Sequence, residues 1–268
     1  MDFREDENTL ISTKHRDRNY KDDIPRWSLR KEIINELFTL PRLENDDDTI
    51  LGSGGSLPIS GIKNEKKAFI LIGPPASGKS TIANNISEHH GAIILDSDYA
   101  KRKLPEFDYD CGATLVQEES NRILFGFSDN NPQNIKSVYE LALDNGYNLV
   151  IPKVGQDPGS IIKMADFLAK TGYEIHLTLI SLRRRDATIR ALRRFNNTKR
   201  YVPLGYVFDQ VGNDPLLTYY IIKEKGKQFF STFGAVSTEV NLSDHPKCID
   251  LQGDNPAALY EKSNDRFY

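Results

Sequence analysis

The sequence predicts an α/β protein, a parallel sheet flanked by helices, and three observations carry that expectation. Short, mostly apolar runs occur at AFILIG from Ala68, at AIILD from Ala92, and over residues 148–151 and 175–180. Such runs are the pattern of strands buried on both faces. Between them lie stretches with apolar side chains at helical spacing: TIANNISEHH, with Ile82 and Ile86 four apart, then residues 133–144, 160–170 and 186–195. The first strand enters its helix through a Gly- and Pro-rich turn, at the sheet edge where such folds bind ligands.

Composition narrows the class. Of 268 residues, 38% are hydrophobic and 27% charged, and 35 basic against 38 acidic side chains leave a formal charge of −3. One large domain or two small ones would bury a core without covalent staples. Cys111 and Cys248 are the only cysteines and form no CxxC pair, which argues against structural zinc and for a reducing, cytoplasmic setting. The longest apolar stretch, residues 68–72, falls far short of the roughly 18 residues that cross a bilayer, so no membrane is expected. The N-terminus is polar and acidic, unlike a secretion signal. Near-neutral charge removes the bulk attraction to nucleic acid.

Three regions are expected. Residues 1–62 comprise a mobile charged start, a helix over residues 27–40 with Ser28 as a candidate N-cap, and a linker holding Gly52, Gly54, Gly55, Pro58 and Gly61. Residues 63–225 form the main domain. Residues 226–268 extend it, with FFSTFGAVSTEVNL and CIDLQG readable as strands or edge segments.

Gly73, Pro74, Pro75, Ala76, Ser77, Gly78, Lys79 and Ser80 match G-x-x-x-x-G-K-[ST], with Thr81 following, between an apolar strand and an amphipathic helix. This is the context a phosphate-binding P-loop requires. Its glycines let successive backbone N–H groups point at phosphate oxygens, and the helix start adds a positive dipole end. Lys79 is expected to reach the β and γ phosphates of ATP, and Ser80 to ligate Mg²⁺ through its hydroxyl. Motors and switches place a carboxylate at the end of a later strand, and NLVIPK at residues 148–153 has none.

Acids lie instead after the second strand, where Asp96 and Asp98 form Asp-Ser-Asp. Phosphoryl transfer to an alcohol needs a carboxylate beside the attacking hydroxyl, which makes Asp98 the candidate base and Asp96 a candidate for holding acceptor or metal waters. Acids at strand ends also serve as helix caps. VQEESNRI at residues 116–123 offers Glu118, Glu119 and Asn121 to a hydroxylated acceptor; the alternative is a plain helix with a solvated acidic face. Arg183, Arg184, Arg185, Arg190, Arg193, Arg194, Lys199 and Arg200 crowd one segment like a lid over a phosphate site, although most such charges form a solvated face. His89 and His90 sit near a helix end, and the five histidines show no metal-ligand spacing.

GPPASGKS, DSDYAKRKLPEFD, GYNLVI, GYEIHLTLI, RALRRF and KRYVP, in that order, resemble the zeta-toxin family of bacterial kinases over about residues 69–207. The resemblance implies a P-loop fold, transfer of the ATP γ-phosphate to the 3′-hydroxyl of UDP-N-acetylglucosamine, and an antitoxin protein as partner. It places Asp98 on the family's base within D-x-D-x-x-K, Lys101 on the last position of that pattern, and Arg194 and Arg200 on two arginines that embrace the transferred phosphate. One stretch departs. In the family a Glu, then Gly-Thr-Gly and an Arg, follow the strand that reads GYNLVI here, where Pro152, Lys153, Val154, Gly155 and Gln156 stand instead. The expected acceptor is therefore a nucleotide sugar or a related nucleotide with a different pocket, and Lys153 is a candidate ligand for its phosphate.

Overall fold

The computed structural model describes residues 8–127, 131–198, 202–240 and 244–261. Its elements run α1 (Asp23–Thr39), β1 (Lys67–Ile72), α2 (Lys79–His90), β2 (Ala92–Ile94), α3 (Ser97–Lys103), α4 (Gly112–Leu115), α5 (Gln117–Phe125), α6 (Val138–Asp144) and β3 (Asn148–Lys153). They continue with α7 (Pro158–Lys170), β4 (Glu174–Ser181), α8 (Arg184–Thr198), α9 (Asp214–Lys225), β5 (Thr232–Ser237) and β6 (Lys247–Gln252). The strands form a six-stranded sheet of order β2-β3-β1-β4-β5-β6, so the α/β class read from the sequence is the one observed. The chain divides into two compact units, residues 1–65 with 87–148 and residues 66–86 with 149–268.

In the second unit β1 lies parallel to β3 and β4, with Ile70 opposite Ile151 and Leu177. β5 continues the parallel set, and β6 closes it antiparallel. Ile70, Ile151 and Leu177 are fully buried, which is why these strands read as mostly apolar runs. β6 alternates in exposure, with Ile249 57% exposed, so CIDLQG is an edge strand. The helix α9 has no counterpart among the expected elements. Pro215, Thr218, Tyr219 and Ile222 are buried while Leu216, Leu217, Tyr220 and Ile221 remain exposed, so apolar residues surround the helix and erase the periodic signal.

His176 on β4 stacks on Phe69 at 4.9 Å, and its Nδ1 lies 2.8 Å from Thr232 Oγ1. Burial, helped by Lys67, pulls its pKa down to about 4. An unfolded histidine titrates near 6.5, so below that pH the unfolded chain takes up a proton that the folded chain refuses. Stability owed to the neutral ring is therefore complete above about pH 6.5 and lost as pH falls toward about 4. Urea unfolding should show a loss of roughly 1–3 kcal/mol over that window, flattened in His176→Gln; equal slopes in both proteins would contradict the assignment.

A buried charge cluster organises the first unit. Arg26 is fully enclosed; its Nη1 donates to Glu106 Oε1 at 2.7 Å, and its Nε and Nη2 donate to the Glu119 carboxylate at 2.7 and 2.5 Å. Arg30 Nε donates to Glu119 Oε1 at 2.7 Å. Burial alone would raise the Glu119 pKa, but the two guanidiniums outweigh it and hold it at about 2. Arg26→Met would leave the buried Glu106 without its arginine and Glu119 with Arg30 alone, and should cost roughly 3–5 kcal/mol of stability, read as a lowered denaturant midpoint. A loss under about 1 kcal/mol would mean that the cluster is solvated.

The structure corrects several expectations in this unit. Residues 8–22, read as mobile, are held by Arg16, whose Nε donates to Thr9 O at 2.7 Å, Nη2 to Leu10 O at 3.0 Å and Nη1 to Asp23 at 2.9 Å. Irregular backbone fixed by one side chain leaves no periodic trace. Helix α1 starts at Asp23 rather than at residue 27, because Pro25 falls in the first turn, where a missing N–H breaks no bond. Ser28 is not the cap; it lies inside the helix and donates to Ile24 O, and Asp22 holds the cap position. The Gly-rich stretch is no free linker, since the buried Lys103 Nζ donates to Glu36 (2.6 Å), Ile50 O (2.8 Å) and Ser53 O (3.0 Å). Helix α6 starts at Val138, later than residue 133, where Ser137 and Glu140 form a reciprocal capping box.

Candidate active site

The phosphate loop joins β1 to α2 within the second unit. Gly73 N donates to Val154 O at 3.2 Å and Ser77 N to Pro74 O at 3.3 Å, which curls the chain back on itself. A Cβ on Gly73 would meet Ile180 O at 2.6 Å, so only glycine fits the crossing over β4. Gly78 has φ +84°, and Ala76 takes φ +59°, a left-handed conformation that few side-chain-bearing residues adopt. Lys79 Nζ donates to the carbonyls of Gly73 and Pro74, both at 2.7 Å, and so braces the loop from inside. Pro75 is half-buried, while Gly78, Ser80 and Thr81 at the start of α2 are exposed.

These residues suit a nucleoside triphosphate with its Mg²⁺. The first turn of α2 presents accessible N–H groups and two hydroxyls beside a lysine, and the buried Ser77 Oγ has no hydrogen-bond partner in the protein. Among the described residues no group of three or more His, Cys, Asp or Glu side chains converges on a metal position. The exposed Ser80 hydroxyl would fit a cation that arrives with phosphates.

Two other predicted residues lie in the same unit. Lys153 ends β3 directly opposite Ile72, the residue before the loop, and Val154 O is the acceptor for Gly73 N. Arg194 is half-buried on α8, whose Ala187 and Ala191 pack with Leu182 and Val207 against Ala76 of the loop. Elsewhere in the cluster, Arg183 pairs with Glu239 at 2.7 Å and Arg184 covers the Phe208 ring at 4.6 Å. Arg200, with Lys199 and Tyr201, lies outside the described residues.

The remaining candidates belong to the first unit. Asp96 caps α3 by accepting Asp98 N at 3.0 Å. Burial and the neighbouring Asp98 raise its pKa above the usual carboxylate range. Asp98 is half-buried and pairs with Lys101 Nζ at 3.0 Å, four residues of the D-x-D-x-x-K pattern thus forming one helical turn. Glu118 is exposed and Asn121 half-buried on α5. Glu119 is a correction: it faces inward on that helix, fully enclosed, with both oxygens taken by Arg26 and Arg30, and it has no surface to offer an acceptor. The sequence hid this because the partners, Arg26 and Arg30, lie some ninety positions away.

The sequence presents Arg190 only as one member of the arginine cluster and does not single out Thr238 at all. The Arg190 guanidinium donates to Thr238 O at 2.6 Å and Oγ1 at 3.4 Å, and Thr238 Oγ1 donates to Ser77 O in the loop at 2.8 Å. Arg190 stands one helical turn before Arg194, a spacing that could have singled it out. Nothing in the sequence marks Thr238.

A parallel α/β sheet whose central strand feeds a G-x-x-x-x-G-K-S turn and a helix defines a P-loop protein. The zeta toxin family model matches residues 60–213, more than half of the chain, and the chain belongs to that family. It is 26% identical to Toxin zeta of Streptococcus pyogenes over 130 residues, 48% of this chain and 44% of that protein. It is 37% identical to a cytidylate kinase of Pseudomonas fluorescens over 81 residues, 27% of this chain and 35% of that enzyme. The chain thus spans less than half the length of either curated relative. A solved structure from the PezAT chromosomal toxin-antitoxin system of Streptococcus pneumoniae superposes with a TM-score of 0.54 at 15% identity, covering 88% of this chain and 84% of that one, a likeness of fold. No helix among the described residues is long and apolar enough to cross a membrane.

Proposed function

We propose that the protein is an ATP- and Mg²⁺-dependent kinase that moves the γ-phosphate to a hydroxyl of a nucleotide sugar, of the UDP-N-acetylglucosamine kind, or of a related nucleotide. The observation that carries this reading is the complete phosphate loop, braced by Lys79, in a chain of the zeta toxin family. In the proposed reaction the loop amides and Lys79 hold the β and γ phosphates, and Ser80 holds Mg²⁺, which supplies charge neutralisation. Asp98 takes the proton from the acceptor hydroxyl, with Lys101 holding its carboxylate in place. Arg194, and Arg200 by the family resemblance, meet the charge that spreads over the moving phosphoryl group. Asp96, Lys101, Glu118, Asn121 and Lys153 remain the acceptor candidates, and Glu119 leaves that set.

Lys153 supports the choice of a phosphorylated acceptor, since it stands at the strand position adjoining the loop where the family pattern departs. An antitoxin protein is proposed as partner from family membership. Incubating the protein with a metabolite extract and γ-labelled ATP, then identifying labelled products by mass spectrometry, tests the reading. A labelled nucleotide sugar or nucleotide is expected; label confined to an acceptor without a phosphate would overturn the acceptor class.

A further inference from the structure

We propose that Arg190 and Thr238 form a positioning relay behind the phosphate loop, which turns the Ser77–Gly78 peptide so that the Gly78 N–H faces the bound phosphates. The inference deepens the nucleotide-binding part of the proposed function and rests on it. A threonine hydroxyl has one proton to give, and two carbonyls compete for it: Ser77 O at 2.8 Å and Ser181 O at 3.4 Å. Ser181 O already accepts Thr238 N at 3.1 Å. Arginine is purely a donor, so a guanidinium N–H against Oγ1 keeps the hydroxyl proton on the far side, toward Ser77. The stronger bond from Arg190 to Thr238 O, at 2.6 Å, fixes the residue that carries that hydroxyl.

The consequence follows from peptide planarity. In a trans peptide C=O and N–H point in opposite directions, so tying Ser77 O to Thr238 sends the Gly78 N–H away from Thr238. Gly78 is exposed and has φ +84°, and because glycine has no side chain to restrict that angle, the Ser77–Gly78 peptide needs an external tie to hold one orientation. Thr238 is 5% exposed, which shields that tie from water. Because Arg190 and Arg194 share a face of α8, the same contact sets the register of the helix that carries Arg194.

Titration of the full chain with Mg·ATP, read by calorimetry and kept separate from any transfer assay, tests the relay. Thr238→Val and Arg190→Met should each weaken ATP binding about tenfold, and Thr238→Ser should restore it. The double variant should bind no more weakly than either single one, because both act through one hydroxyl. ATP affinity within about twofold of wild type in Thr238→Val, additive losses in the double variant, or failure of serine to rescue would each overturn the relay. Should ATP binding fall as expected while no acceptor is phosphorylated by the wild type, the kinase reading fails and the relay stands.

Discussion

Asp98→Ala is expected to lower turnover by about 10²- to 10⁴-fold while ATP affinity stays within about twofold of wild type. Proton removal from an alcohol must accompany its attack on phosphorus, and the alanine variant leaves that proton to water. The fold should scarcely register the change. Asp96, not Asp98, supplies the side-chain cap of α3, so the helix start survives. The ion pair lost with Lys101 involves a carboxylate side chain that is 36% exposed, the kind of pair that contributes about 0–1 kcal/mol. Loss of rate without loss of stability or ATP binding would therefore report chemistry. Steady-state kinetics beside a thermal melt and an ATP titration make the comparison, and an unchanged rate would remove the base assignment.

Lys79→Ala should weaken ATP binding and transfer together, with kcat/KM down by about 10²- to 10³-fold. The residue has two tasks. In the proposed reaction its ammonium brings a positive charge to the β and γ phosphates, and its bonds to Gly73 O and Pro74 O brace the loop. Truncation removes both, so the effect cannot be confined to turnover as it is for Asp98. Lys79→Arg should fail to rescue, because a planar guanidinium cannot enter the loop to reach two carbonyls 2.7 Å away as a compact ammonium does. ATP binding at wild-type strength in Lys79→Ala would show that the loop serves another ligand.

The sheet was legible because β1, β3 and β4 are largely buried and therefore mostly apolar, and because the loop motif dates the start of α2 to within a residue. Helix α9 was illegible for the opposite reason, its exposed Leu217 and Tyr220 masking the face that packs. The arms of the site split along the same line. The contiguous G-x-x-x-x-G-K-S pattern and the Asp96–Asp98 pair could be read directly, D-x-D-x-x-K came with the family resemblance, and Lys101 does pair with Asp98 as neighbours on one helical turn can. Roles set by distant partners could not. Glu119 read as an acceptor ligand or a solvated acid because its guanidinium partners belong to α1, and Thr238 read as ordinary because its hydrogen bond reaches a backbone carbonyl 161 positions earlier.

The transfer step itself is the most direct measurement. Wild type and Asp98→Ala, each given γ-labelled Mg·ATP and the acceptor recovered from the metabolite extract, can be followed by phosphorus NMR. Label should pass from ATP into a phosphate monoester on an acceptor carbon in the wild type, and at least about a hundredfold more slowly in the variant. Label appearing only as inorganic phosphate, at the same rate in both proteins, would contradict the assignment of a kinase with Asp98 as its base.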